Sequence, residues 1–273
     1  MLESFLLNQA ALFTLILGRV GGLIATAPVF SGQSAPLRFR ALLAVALAGL
    51  LLPPLSSTEL SLAGETAGGP GAGLDPPRLT MMIGLEVIVG LLIGLGVMIL
   101  LSGVQVAGQI VAQVSGLSLG DVFNPALDDT VSVFSQLFYF IALAAFVCMG
   151  GHRMTLEALL GTFEWSPPGS AAFGATYADA LVGLLSQSFE LGIRAAAPLL
   201  ISLFLATVVL GLISRTLPQI NTIVVGFSVN SLLTLSVMFL TIGSVVWTFQ
   251  APLDDALATL MEATQPAEAL AAK

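Results

Sequence analysis

Few residues in this 273-residue chain have the means to do covalent chemistry. There is one histidine, His152, and one cysteine, Cys148. His152 follows two glycines and precedes Arg153, a helix-connecting pattern in which a solitary imidazole serves structure rather than proton transfer. Cys148 lies inside the apolar run ALAAFVCMG with no second thiol, so no disulfide framework and no thiolate metal cluster is available. No nucleophile elbow, HExxH helix or phosphate-binding loop occurs. Asp128-Asp129 is an acid pair that could meet a cation, but just before Thr130 it is accounted for by the dipole of a following helix. The residue types thus assign no catalytic group and no metal ligand, and they call for no cofactor.

What remains is hydrogen bonding without charge. Gly103 to Pro125 reads GVQVAGQIVAQVSGLSLGDVFNP. Gln105, Gln109 and Gln113 recur every four residues, so on a helix they form one narrow amide stripe. Ser115, Gly116, Ser118 and Gly120 then break the pattern, and Asn124-Pro125 stops it. An amide stripe leading into such a loop belongs against another subunit, a polar cavity or a pore, because irregular backbone at membrane depth must be covered by protein or water. A plainer alternative stands beside this one: the stripe glues helices of the same chain together.

The elements that must position these groups are apolar. Hydrophobic residues make up 56% of the chain and charged residues only 9%, with a net charge of −8. Mean hydropathy is +1.00. Soluble domains carry roughly a quarter charged residues, so this chain suits an apolar solvent or a large apolar assembly. The acidic balance excludes a nucleic-acid surface. The fold expected is all-α: about six long apolar segments forming polytopic, membrane-type helical hairpins, in a single domain over 1–273.

Phe5–Phe30 is the first segment, and without a basic leader or an obvious cleavage site it reads as a helix rather than a signal peptide. Arg19 sits well inside it. An arginine at mid-membrane costs about 2.5–3.5 kcal/mol on insertion scales, so it should face protein or a polar cavity, snorkelling being the alternative. Ala41–Leu52 is the second segment, short for a span that needs about 20 residues. Residues 56–78 read as a mobile loop. Thr80–Ser102 follows, where Gly90 and Gly94 permit close helix approach and Glu86 is read as a charge at an interfacial helix end. Val131–Met149 is the fourth segment. Leu156–Phe163 ends in a proline stop at Pro167-Pro168. Ser170–Arg194 is amphipathic, Ala195–Ile213 is apolar with Pro198 inside, and Thr222–Phe249 closes the series before an acidic tail at 251–273. Seven arginines and one lysine are spread so evenly that the positive-inside rule gives no topology.

Several ordered motifs carry a resemblance. Arg19 to Phe30 has the pattern R-x-x-G-x-x-x-x-x-P-x-F, followed by APLRFRALLA at Ala35–Ala44. Gly108-Gln109 and GLSLGDVFNP at Gly116–Pro125 follow, then GLISRTLPQINTIVVGF at Gly211–Phe227. Together these resemble the FliR family of flagellar type III export, whose injectisome relatives share the P-Q-x-N element but often carry a lysine soon after it. The Gly-Phe after Val225 favours the flagellar branch. The sequence departs from the family at Asn124, where aspartate is usual, and at Ser228, where proline commonly stands.

The resemblance implies an export-gate subunit of the bacterial inner membrane, in the flagellar basal body. It implies assembly with FliP-like and FliQ-like subunits, contact with FlhB- and FlhA-like components, and passage of unfolded flagellar proteins. It maps a channel plug onto Ser115, Gly116, Leu117, Ser118, Leu119, Gly120, Val122 and Phe123. Lumen or subunit contacts are expected at Gln105, Gln109, Gln113, Arg19, Arg215, Pro218, Gln219 and Asn221, with Arg19 and Arg215 as anchors between subunits. Two other functions remain open from the residues alone: a self-sufficient polytopic transporter, and an intramembrane enzyme using His152.

Overall fold

A computed structural model of the chain describes residues 2–31, 36–57, 76–116, 132–171, 175–217, 219 and 222–263. Among these are eight helices and no strand. They are α1 (Leu2–Thr26), α2 (Pro28–Ser31), α3 (Leu37–Ser57), α4 (Pro76–Ser115), α5 (Val133–Cys148), α6 (Gly151–Trp165), α7 (Ala175–Thr216) and α8 (Thr222–Ala263). Five of them contain stretches long and apolar enough to cross a membrane, and α5 with α6 makes a sixth if the pair is one interrupted span. The expected all-α, membrane-type architecture is the one observed. Most of the 56–78 loop and the end of the acidic tail lie outside the described residues.

The elements run longer than the apolar segments suggest. Thr80–Ser102 and the amide stripe are one helix of 40 residues, and the segments on either side of Arg194 are one helix of 42. Glycine and proline, which punctuate soluble sequences, do not interrupt these helices, because packing in apolar surroundings favours small residues where helices cross. Pro198 is taken inside α7. The second segment is not short: α3 has 21 residues and continues through Pro53-Pro54. Proline's fixed φ is itself helical, so near a helix end the cost is confined to the bonds its nitrogen cannot donate. Arg38 and Arg40 stand in the first turn, where long side chains can reach past the helix end.

The chain forms two compact units: Met1–Met98 with Gly150–Gly183 and Asp255–Lys273, and Ile99–Met149 with Leu184–Asp254. In the first, Leu12, Ile16, Val20, Leu23 and Ile24 of α1 meet Val89 and Ile93 of α4, Leu159 and Phe163 of α6, and Ala44 and Ala48 of α3 in one core. The α1–α4 crossing is close because Gly90 lies against the Arg19 carbonyl and Gly22 against that of Val87. In the second unit, Gly103 of α4 meets Ser188 and Gly192 of α7, backbone on backbone. Gly108 does the same against Phe134 and Ser135 of α5.

The break between α5 and α6 is a short turn. Met149 donates its N–H to the Ala145 carbonyl at 3.0 Å, and Gly150 follows at φ +77°. A left-handed glycine after the last helical turn is the usual way to satisfy the terminal carbonyls. Cys148, at the end of α5, is exposed.

Candidate functional site

The end of α4 carries the amide stripe. Gln105 and Gln109 are half-buried and Gln113 is exposed, so the stripe emerges from the packing as it approaches the helix end. Gln109 Oε1 accepts the backbone N–H of Ser132 at 3.4 Å, and the Gln105 main-chain oxygen accepts Ser135 Oγ at 2.8 Å. Ser132 is also the N-cap of α5, its hydroxyl accepting from Phe134 N–H at 3.2 Å. The start of α5 is thereby fastened to α4 within one chain, and Gln109 has a use that requires no second subunit.

Ser115 is still helical, buried, and donates to the Ala112 carbonyl at 3.0 Å. Gly116 is the first residue past the helix, at φ +79°. The remaining plug residues, Leu117, Ser118, Leu119, Gly120, Val122 and Phe123, lie outside the described residues, as do Pro218 and Asn221. Gln219 is exposed. Arg215 is exposed in the last turn of α7, where a cation complements the carbonyl end of the helix.

Arg19 is elsewhere and is differently employed. Its side chain is fully buried in the first unit, with Nε 2.6 Å from Glu86 Oε2 of α4. Nη1 donates to Thr162 Oγ1 of α6 at 3.0 Å, and Nη2 to the Ser166 carbonyl at 3.0 Å. The guanidinium also stacks on Phe163, 4.3 Å from the ring centre. Glu86 Oε1 accepts the Gly169 N–H at 2.7 Å. Two expectations are corrected here. Glu86 is not an interfacial end charge: α4 begins at Pro76, about 15 Å earlier at 1.5 Å per residue, and the carboxylate is completely covered. Arg19 is not free to anchor a neighbouring subunit, because its donors are used within its own chain.

The turn that receives this pair is built for it. Ser170 N–H donates to the Pro167 carbonyl at 3.0 Å, and Gly169 has φ +92°. Proline at the second position and a positive-φ glycine at the third make a type II turn. That geometry leaves the Gly169 N–H aimed outward, onto Glu86. Sequence reasoning missed Glu86, Thr162, Ser166 and Gly169. One signal was available: Arg19 and Glu86 are each the lone charge in a long apolar segment, and opposite buried charges require each other.

Both clusters hold helices and turns in a fixed relation. The chain is similar to the flagellar biosynthetic protein FliR of Caulobacter vibrioides, 25% identical over 242 residues, covering 88% of this chain and 92% of the relative. It is similar to the protein of the same name from Escherichia coli K12, 27% identical over 220 residues, covering 81% and 80%. The Yop proteins translocation protein T of Yersinia pestis is 29% identical over 235 residues, 85% of either chain. A sequence model of the family described as bacterial export proteins, family 1, matches residues 10–256. With that match over nearly the whole length, and with membrane-spanning apolar helices among the described residues, the chain belongs to the bacterial export proteins, family 1.

Proposed function

We propose that the chain is a structural and gating subunit of a flagellar type III protein export channel in the bacterial inner membrane, within the basal body. The observation that carries this reading is the family match across residues 10–256, together with relatives named for flagellar biosynthesis and for translocation. The partners are FliP-like and FliQ-like subunits, with FlhB- and FlhA-like components of the export apparatus, and the cargo is unfolded flagellar protein. Most of the apolar surface of α3, α7 and α8 is left uncovered by the chain itself, which leaves it open to such partners or to lipid.

Gating is assigned to the segment from Ser115 to Asn124, which follows the stripe of Gln105, Gln109 and Gln113. Leu117, Leu119, Val122 and Phe123 are residues able to exclude water, and the intervening serines and glycines have small side chains that allow tight closure. An injectisome subunit is the second reading, favoured by the Yersinia translocation relative, whose identity equals or exceeds that of the flagellar ones reported above.

The test is to tag the C-terminus, express the chain with its genomic neighbours, extract in mild detergent and weigh the complex by native mass spectrometry. A defined hetero-oligomer with one copy of this chain is expected. A stable lone monomer or homodimer with the neighbours expressed but unbound overturns the reading in favour of an independent transporter. In the assembled complex, deletion of Ser115–Asn124 is expected to make cells leak small ions. Unchanged permeability removes the plug from the proposal.

A further inference from the structure

We infer that the Arg19–Glu86 pair couples the burial of α1 and α4 to the docking of the α6–α7 turn, so that the three segments enter the membrane as one unit and the turn is held there by the pair. This inference does not depend on the export reading. Each charge is alone in its apolar segment, so either helix by itself would bring an uncompensated ion into hydrocarbon. Meeting each other is still not enough. Arg19 sends its two terminal nitrogens to Thr162 and the Ser166 carbonyl, and Glu86 takes its second bond from the Gly169 N–H. All three of those partners belong to α6 and the turn, at least 76 residues after Glu86 (162 − 86).

Chain order gives the coupling its direction. Arg19 is made first, Glu86 second, and the groups that complete both only at residues 162–169. Until that turn arrives, the α1–α4 contact holds a half-satisfied ion pair, which is a poor state in low dielectric. Once the turn docks, the pair is sealed and both side chains lose all exposure. Pro168 and Gly169 fix the turn beforehand, so its outward N–H needs no rearrangement to meet the carboxylate. Phe163 closes the remaining face of the guanidinium. Arg19 and Glu86 are accordingly positioning residues for the turn, and their joint burial is a checkpoint that the first unit is complete.

The experiment compares full-length, C-terminally tagged chains carrying R19A, E86A or the double apolar replacement R19M/E86L. Each is also made with A171C on a C148A background, because Ala171 is buried just beyond the turn. Either single substitution is expected to lower the detergent-stable chain recovered from membranes by about tenfold or more, since one buried charge is left without its partner. R19M/E86L is expected to restore recovery to within about threefold of the parent, because no charge remains to be buried. In that recovered double variant, the thiol introduced by A171C is expected to react with N-ethylmaleimide about ten times faster than in the parent, reporting a turn no longer held. Single variants recovered at the parental level overturn the inference, as does a double variant no better than the worse single. A well-recovered double variant whose introduced thiol is still protected overturns the positioning role.

Discussion

A guanidinium sealed from solvent must satisfy its donors inside the protein, and Arg19 does so on a carboxylate, a hydroxyl, a backbone carbonyl and an aromatic face. Lysine can supply the charge but not the planar fork. R19K is therefore expected to keep the ion pair with Glu86 while losing Thr162 or Ser166, lowering the midpoint of thermal unfolding in detergent by several degrees without the collapse expected of R19A. A midpoint equal to the parent's would mean that the fork is unused. At Gly169 the backbone conformation, at φ +92°, is what matters. G169A is expected to cost about 1–2 kcal/mol, read by the same melt, since a side chain there is strained in any surroundings. At this scale the sequence was half legible. That Arg19 had to be buried against something polar follows from its position in an apolar run, but its partners lie 67 to 147 residues away. Only packing brings them together, and a lone glutamate beginning a helical segment looks locally like an end charge.

At the scale of the element, the helices are held by close backbone approach rather than by expulsion of water, which offers little between apolar helices in an apolar solvent. Gly90 and Gly84 make the point testable on one helix. A methyl group at Gly90 would collide with the Arg19 carbonyl, whereas one at Gly84 meets nothing within 4 Å. G90A is expected to separate α1 from α4 and reduce the folded chain severalfold, while G84A leaves it unchanged, as judged by gel filtration in detergent. The start of α5 rests on Ser132, which caps the helix and reaches Gln109. S132A removes the cap hydroxyl and is expected to cost about 1 kcal/mol, visible as faster amide exchange in the first turn of α5. Helix existence was readable from apolar runs. Continuity was not, because Gly103, Gly108 and Pro198 carry breaker chemistry that helix packing overrides in α4 and α7. Where a glycine does end a helix, at Gly116 and Gly150, it follows the last apolar turn and takes positive φ.

For the whole molecule the decisive feature is how much apolar surface the chain leaves uncovered. Phe204, Leu205, Val208 and Leu212 on α7, with Leu232, Leu235, Phe239, Leu240 and Trp247 on α8, are exposed large side chains on helices of membrane-spanning length. In water such a surface would drive association, so lipid or other subunits must cover it. Trp247, 79% exposed, reports which. With Trp165 replaced by phenylalanine it is the sole indole of the chain. In bilayers of brominated lipid the lone chain is expected to lose at least about half of its Trp247 emission, since the ring would lie among acyl chains or at their margin. Emission indifferent to bromination would mean that the ring is covered or lies outside the bilayer. Composition made the apolar surroundings legible from the start, whereas the division between self-packing and uncovered faces was not, because α1 and α3 are similarly apolar and differ in what the fold lays against them.

The exposed thiol at the end of α5 has a practical meaning. Cys148 is the chain's single cysteine, and it directly precedes the Met149–Gly150 break that separates α5 from α6. A spin label or fluorophore attached there needs no background of removed cysteines and no foreign residue. The natural protein thus comes supplied with its own spectroscopic reporter, placed where one helix hands over to the next.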